Sequence, residues 1–144
     1  MAAADTVALI ERYYAAFNAG DAEGMLACLS DDVVHDVNQG PRRTGKEAFR
    51  TFCRHMERCY AERLENMTIM AAANGERAAA EFDVLGTYVE ADEGLPPATG
   101  QTYRVSAGAF FEVRGALIGR VTTYYNLTDW LRQIAGQAET PQQP

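Results

Sequence analysis

The chain has 144 residues, of which 47% are hydrophobic and 23% are charged, and its formal net charge is −7 at pH 7. This composition is typical of one soluble globular domain and excludes a disordered chain. The negative charge argues against nucleic acid and anionic membrane surfaces as partners, because both require a basic protein surface.

The cysteines and the start of the chain indicate a cellular location. The three cysteines, Cys28, Cys53 and Cys59, are odd in number and lack the spacing of a metal site. The first residues show no basic segment followed by a long apolar run, as a signal peptide would. No stretch reaches the roughly 18 apolar residues of a membrane helix. We therefore predict a cytoplasmic protein with reduced thiols.

The first half of the sequence predicts three helices and a short strand. Apolar residues recur at intervals of three and four over residues 5–18 and 46–62, which predicts two amphipathic helices. A shorter helix is expected between them, around residues 22–29. Val33 and Val34 then begin a short strand, predicted over residues 33–37.

The second half predicts a meander of strands. The four candidate strands are residues 66–73, 76–90, 101–113 and 117–126. Asn74-Gly75 is a strong signal for a hairpin turn between the first two. Helices gathered at one end of the chain and strands at the other are typical of an α+β fold.

We assign residues 1–136 to a single domain of this class. Its three N-terminal helices are expected to pack on a strongly curved, mostly antiparallel sheet that encloses a conical pocket. Residues 137–144 are polar and include two prolines, so we expect a disordered tail.

Two parts of the chain resemble known families. The segment IERYYAAFNAGDAEGMLACLSDDVV, residues 10–34, resembles the opening of ketosteroid isomerases and of the wider nuclear transport factor 2-like superfamily. NGERAAAEFDVLG and VTTYYNLTDWLRQI, residues 74–86 and 121–134, resemble limonene epoxide hydrolases and polyketide cyclases of that superfamily. More narrowly, the chain is similar to ketosteroid isomerase-related, SnoaL-like proteins. The resemblance implies the conical fold, a cavity for an apolar ring-bearing molecule, and dimerisation.

The isomerase resemblance carries over residue by residue. Tyr13 matches the tyrosine that donates to the substrate oxyanion. Ketosteroid isomerases carry their catalytic aspartate on the short strand. An ungapped alignment from the first helix places it at Val37, and an alignment counted back from Gly45 places it at Asp36. The protonated aspartate of a late strand falls on Ala109, so the family's own catalytic set is incomplete here.

The epoxide hydrolase resemblance also departs from its pattern. Asp83 matches one member of the Arg/Asp pair of those enzymes, but Glu81 stands at the arginine position and Asn126 at that of the second aspartate. The water-positioning tyrosine falls on His35.

Alternation along the strands predicts which side chains share a face. His35 follows apolar Val33 and is expected to point inward, as a catalytic residue or as a hydrogen-bonded core residue. We predict that His35 meets Asp83, Asn126 and Tyr13 in one cavity. The candidate substrate contacts are Glu81, Phe17, Tyr124 and Asp36, the last of which alternation turns away from His35.

The predicted function is a small cofactor-independent enzyme of isomerase or cyclase type that moves a proton next to a carbonyl. His35 or Asp83 would act as base, and Tyr13 and Asn126 would hold the enolate oxygen. The sequence has no glycine-rich phosphate loop, dinucleotide motif or metal-ligand spacing, so we expect no cofactor and no metal. The alternatives are an epoxide hydrolase or hydratase, a small-ligand carrier, and a dimeric docking module.

A homodimer formed through the sheet is the expected assembly. Residues 78–90 and 103–113 read as strands that are apolar on both faces, and the helices cannot cover both.

Overall fold

The computed structural model describes residues 2–135, and the predicted tail at 137–144 lies outside the described residues. In chain order, its elements are α1 (Ala3–Asn18), α2 (Ala22–Leu26), β1 (Leu29–Asp36), β2 (Arg43–Thr44), α3 (Lys46–Cys59), β3 (Tyr60–Ala71), β4 (Arg77–Tyr88), β5 (Thr102–Arg114), β6 (Leu117–Tyr125) and α4 (Leu127–Ile134). Within residues 2–135, no helix is long and apolar enough to cross a membrane.

The strands form one mixed sheet, which confirms the predicted α+β class. Their order is β2-β1-β6-β5-β4-β3. The β1–β6 pair is parallel and the other neighbouring pairs are antiparallel. The helix α1 lies against β3 and β4, so one face of the sheet is covered and the other is left outside.

The helix α1 and the sheet share an aromatic core. Tyr13 and Tyr14 are buried on the sheet side of α1. The Tyr14 ring lies 5.2 Å from the Phe82 ring of β4, and both tyrosines meet the Phe111 ring of β5 edge to face. Edge-to-face pairs add to the stability gained from burial alone. These contacts fix which face of the sheet points inward.

Two polar contacts tie α1 to the sheet. The Thr6 hydroxyl donates to the carbonyl of Gly75, 2.6 Å away, in the β3–β4 hairpin predicted from Asn74-Gly75. At the other end of α1, the Asn18 carboxamide accepts from the backbone N–H of Leu64 at 2.9 Å and donates to its C=O at 3.1 Å. Asn18 thus pairs with β3, the outermost strand, on the side that has no strand neighbour.

The predicted boundaries are wrong at two helix-to-strand junctions. The helix expected at 22–29 ends at Leu26, and β1 begins at Leu29. The helix expected at 46–62 ends at Cys59 and passes into β3 without a loop, whereas the strand was expected from 66. Tyr60 and Leu64 are both buried, and a spacing of four fits one face of a helix or of a strand equally well. Neither β2 nor α4 was predicted as an element.

The inward face of β4 is also the opposite of the one predicted. Ala78, Ala80 and Phe82 are buried, whereas Glu81 is exposed and Asp83 lies on the same outer side. A strand that is apolar on both faces does not reveal which one is inside, and a slip of one residue exchanges them. Here the contact between Phe82 and Tyr14 of α1 decides the orientation.

Candidate active site

A cavity of about 820 Å³ lies between the helices and the inner face of the sheet. Its walls are mainly aromatic and aliphatic, and its volume suits a ring-bearing molecule. The rings that define its walls include Tyr13, Phe17, Phe49, Phe52, Phe82 and Trp130.

His35 points into this cavity, as predicted. It is 5% exposed, and its ring centroid lies 4.5 Å from that of Phe49 and 4.7 Å from that of Phe52. Burial, together with the positive charge of Arg43, lowers the pKa of His35 to about 4. The imidazole is therefore neutral at pH 7, so it can donate or accept a hydrogen bond but is a weak base.

Tyr13 and Phe17 line the same cavity, again as predicted. Tyr13 is 4% exposed and meets the Phe49 ring edge to face. Burial raises the pKa of the Tyr13 hydroxyl well above its ordinary value, and the neighbouring Tyr14 adds to this shift. The hydroxyl therefore stays protonated and serves as a hydrogen-bond donor.

Asp83 does not reach the cavity, so its predicted meeting with His35 is wrong. Its carboxylate accepts hydrogen bonds from Asn66 and Arg104, each at 2.8 Å, on the outer face of the sheet. The hydrogen bond from Asn66 and the charge of Arg104 lower the pKa of Asp83, so it is ionised. Glu81, on the same side of β4, is exposed.

The predicted residues at the end of β6 and at Asp36 lie outside the cavity too. Tyr124 is 53% exposed on the outer face, and the Asn126 side chain accepts from the N–H of Asp129 at 3.0 Å and caps α4. Asp36 is bound by the guanidinium of Arg42 and the hydroxyl of Thr122. It points away from His35, as alternation predicted.

Glu62 is an acidic cavity residue that the sequence pattern did not indicate. It lies on the inner face of β3 and lines the cavity, and the Tyr103 hydroxyl donates to its carboxylate. Burial raises the pKa of the Glu62 carboxyl above its ordinary value, and the hydrogen bond from Tyr103 only partly offsets this. A carboxylate whose pKa is raised is a stronger base than an ordinary glutamate, which is a property that general acid–base catalysis uses.

A glycine makes the Glu62–Tyr103 contact possible. Glu62, Gly86 and Tyr103 are paired in one row across β3, β4 and β5. A Cβ atom at Gly86 would lie 2.3 Å from the Tyr103 ring, so only glycine lets that ring cross β4 to reach Glu62.

Aromatic rings close this part of the cavity. The Tyr103 ring meets Trp130 of α4 edge to face at 5.8 Å, and Tyr60 lies 5.7 Å from the same indole. Burial and the negative charge of Glu62 raise the pKa of the Tyr125 hydroxyl, which also lines the cavity. Had β3 been predicted from Tyr60 onward, alternation would have placed Glu62 on an inner face.

A further group of polar side chains lies next to Tyr60. Asp92 accepts hydrogen bonds from Tyr60 and from His55, whose Nε2 is 3.0 Å away. Burial raises the pKa of Asp92, but these two hydrogen bonds, the charge of His55 and the backbone N–H of Glu93 together leave it lowered. The Cys59 sulfur joins His55 and Asp92 within 4.8 Å, a spacing that could hold a metal ion. Burial raises the pKa of the Cys59 thiol, whereas metal binding requires the thiolate.

His35 and Glu62 belong to different ends of the cavity. Followed across β6 and β5, the row of paired residues that contains His35 ends at Ala78 of β4. Glu62 is instead paired with Gly86 of the same strand. These two positions are eight residues apart along β4, a span of at most roughly 26 Å in extended strand. Because both residues line one cavity, a ligand long enough to extend along it can present one group to Glu62 and another to His35.

Comparisons with known proteins identify the family. The profile of the SnoaL-like domain matches residues 10–121. A candidate polyketide cyclase from Pseudomonas putida is 55% identical, with a TM-score of 0.88, 90% of this chain covered and 97% of the other. One from a Silicibacter species is 54% identical, with a TM-score of 0.90 and coverages of 94% and 99%. One from Xanthomonas campestris is 48% identical, with a TM-score of 0.89 and coverages of 91% and 97%.

More distant structures share the fold alone. An LEH-like epoxide hydrolase from Mycobacterium tuberculosis is 17% identical, with a TM-score of 0.74, 92% of this chain covered and 86% of the other. The search of curated proteins finds no match.

Proposed function

The chain belongs to the SnoaL-like domain family of the nuclear transport factor 2-like fold, and from this premise we propose that it is a cofactor-independent enzyme of cyclase or isomerase type. It moves a proton next to a carbonyl of an apolar, ring-bearing molecule. The observation that supports this proposal most directly is the Glu62 carboxyl, which has a raised pKa and a tyrosine donor in a cavity with mainly aromatic and aliphatic walls.

Glu62 is the base in this mechanism. Its carboxylate takes a proton from the carbon next to the carbonyl, and the C–H electron pair moves to the carbonyl oxygen and forms an enolate. The Tyr125 hydroxyl donates to this oxygen, and Tyr103 holds the carboxylate in position. In a cyclase the enolate carbon then attacks a second carbonyl of the same molecule, the π electron pair of that carbonyl moves to its oxygen, and the resulting alkoxide takes the proton from Glu62. In an isomerase Glu62 returns the proton to another carbon.

This assignment replaces the bases considered from the sequence. Asp83 lies on the outer face, and an imidazole with a pKa of about 4 is a weaker base than the ordinary histidine. His35 and Tyr13 remain candidate contacts for the far end of the substrate.

The similar proteins favour cyclisation over hydrolysis. Three structures at 48–55% identity are described as candidate polyketide cyclases, whereas the epoxide hydrolase, at 17% identity, is similar in fold only. A polyketide cyclase forms a carbon–carbon bond through an enolate, which is the chemistry proposed for Glu62.

Hydrogen exchange at the carbon next to a carbonyl tests the proposal without knowledge of the natural substrate. Aryl 1,3-diketones and cyclic enones are incubated with the protein in D2O, and deuterium uptake is followed by NMR. The wild type should accelerate the uptake, Glu62→Gln should not, and Glu81→Gln, an exposed glutamate one strand away, should behave as the wild type. A ligand that binds without accelerated exchange would instead indicate a carrier.

We also propose that two copies associate through the outer face of the sheet. Met70, Ala79 and Phe110 are neighbours in one row across β3, β4 and β5, and Tyr124 packs on Phe110. Met70 and Tyr124 are each 53% exposed and Phe110 is 45% exposed. A contiguous apolar surface of this kind is typical of an interface.

A further inference from the structure

Two polar side chains at the β1–β2 end of the cavity take no part in the proton transfer described above. His35 and Arg43 are direct cross-strand partners in the antiparallel pair of β1 and β2. Partners of this kind project to the same face with their Cβ atoms about 5 Å apart. Both residues line the cavity.

Each of these residues has a buried nitrogen without a partner. Within residues 2–135, three fully buried side-chain nitrogen or oxygen atoms make no hydrogen bond: Ser30 Oγ, His35 Nδ1 and Arg43 Nη1. Two of the three therefore belong to one cross-strand pair. Buried polar atoms in proteins are nearly always hydrogen-bonded, so two unpartnered nitrogens on cross-strand partners point to a ligand that supplies the missing hydrogen bonds.

The charge of Arg43 is also uncompensated, in contrast to that of its neighbour. Arg42 points to the outer face and binds the Asp36 carboxylate at 2.8 Å. The Arg43 guanidinium instead lies over the Phe52 ring, 5.1 Å from its centroid, and pairs with no carboxylate of the described chain. A guanidinium that stacks on an aromatic ring keeps its N–H groups free for an anion in the plane of the fork.

We propose that His35 and Arg43 form a subsite that binds the carboxylate of a small ring-bearing molecule. The guanidinium of Arg43 supplies the positive charge and donors, and the neutral imidazole supplies one further N–H from Nδ1. The rings of Phe49 and Phe52, both in contact with His35, bind the apolar body next to that carboxylate.

A carboxylate fits this subsite better than a phosphate. One guanidinium beside a neutral imidazole offers a single positive charge, and a carboxylate matches both that charge and the planar fork. The walls around the pair are apolar, and a dianion there would retain an unbalanced charge. Glu62 lies at the other end of the cavity, so it does not repel a carboxylate bound here.

This inference concerns binding, and it stands whether or not Glu62 catalyses a reaction. It is tested with 2-naphthoate and 2-naphthamide, which have the same ring and differ in charge. Calorimetry on the wild type should show 2-naphthoate binding at least about tenfold more tightly. Arg43→Met should remove this preference and leave the affinity for 2-naphthamide unchanged.

The neighbouring arginine supplies the matched control. Arg42→Met removes the same charge from the outer face and should keep the preference for 2-naphthoate. Equal affinities of the two probes for the wild type, absence of binding by both, or an equal loss in Arg42→Met would each overturn the proposal. Glu62→Gln should retain the preference, so a failure of the proposed catalysis is distinguishable from a failure of this subsite.

A measurement without a ligand checks that Arg43 is not simply structural. Because its buried guanidinium nitrogen has no partner, Arg43→Met should melt at the same or a higher temperature than the wild type. A melting temperature below that of the wild type would show that Arg43 stabilises the fold and would contradict the proposal.

Discussion

The two faces of the sheet carry the same kinds of side chain in opposite environments. His35 faces the cavity and is neutral, whereas the adjacent Asp36 faces outward and is held ionised by Arg42. Glu62 is on the inner face with a raised pKa, whereas Asp83, on the outer face of the next strand, has a lowered one. Burial dominates inside and hydrogen-bonded charge pairs dominate outside.

This contrast shows where the chemistry of the chain is found. On the outer face, Asp36 and Asp83 are paired with arginines and Glu81 is exposed to water, so their reactivity is ordinary. The inner face has few polar groups, and an apolar cavity strengthens each electrostatic interaction that they make with a ligand. Matched substitutions on the two faces therefore test the comparison directly.

The largest difference is expected between two carboxylates. Glu62→Gln should lower the rate of proton exchange by about a hundredfold or more, since a general base typically contributes this much. Asp83→Asn should leave the rate within about twofold, because its carboxylate does not reach the cavity. Exchange kinetics on the two variants measure both effects. A comparable loss of rate in Asp83→Asn would contradict the assignment of the chemistry to the inner face.

Acid should destabilise the protein through protonation of His35. A folded pKa of about 4 against an ordinary 6.5 means that its contribution is complete above pH 6.5 and is lost as the pH falls towards 4. The loss amounts to about 3 kcal/mol. Denaturant unfolding from pH 8 to 4 measures it.

Two variants isolate that effect. His35→Gln should lack the loss between pH 6.5 and 4. Asp36→Asn should retain it, because the lowered pKa of Asp36 makes its own contribution disappear only below the ordinary aspartate range near 3.8. The same pH profile in His35→Gln and the wild type would show that the imidazole is not buried in solution.

Two glycines provide the third contrast. Gly86→Ala places a Cβ atom 2.3 Å from the Tyr103 ring, displaces that ring from Glu62, and should cost about 1–3 kcal/mol and most of the activity. Gly108→Ala on the outer face meets only the Ala80 carbonyl oxygen at 3.5 Å and should be neutral or slightly stabilising. Thermal melts and the exchange assay measure the stability and activity of both variants. Equal stability and activity would show that Gly86 is not needed for the contact between Tyr103 and Glu62.

The smallest expected effect concerns association. Phe110→Asp, in the middle of the apolar outer row, should weaken the proposed dimer by at least about tenfold, because a buried carboxylate at an interface lacks a partner. Leu117→Asp, near the β5–β6 turn, is the control with a similarly exposed apolar side chain. Light scattering over a range of concentrations should show monomers for the first variant only; a wild type that is monomeric throughout would refute the dimer.

Much of the fold follows from the sequence, because its signals are local. The 3.6-residue periodicity of residues 5–18 corresponds to α1, and Asn74-Gly75 forms the predicted hairpin. His35 could be oriented because its strand has one apolar face, marked by Val33. The resemblance supplied the family and the position of the cavity.

The site itself depended on information that no local pattern contains. β4 offers Phe82 on one face and Leu85 on the other, so alternation defines two faces without deciding between them. The contact of Phe82 with Tyr14 of α1, which is distant in sequence, decides which face of β4 points inward. Glu62 was hidden because the apolar spacing of Tyr60 and Leu64 continues the helical pattern of α3 into a strand.

The Asn18 carboxamide has a consequence for the behaviour of the protein at high concentration. An outermost strand normally presents free N–H and C=O groups to which a strand of another molecule can add, and this addition starts many aggregates. Asn18 occupies both backbone groups of Leu64 and so replaces the next strand at that point of β3. A side chain of α1 thereby helps to end the sheet within one molecule and to limit the addition of further strands.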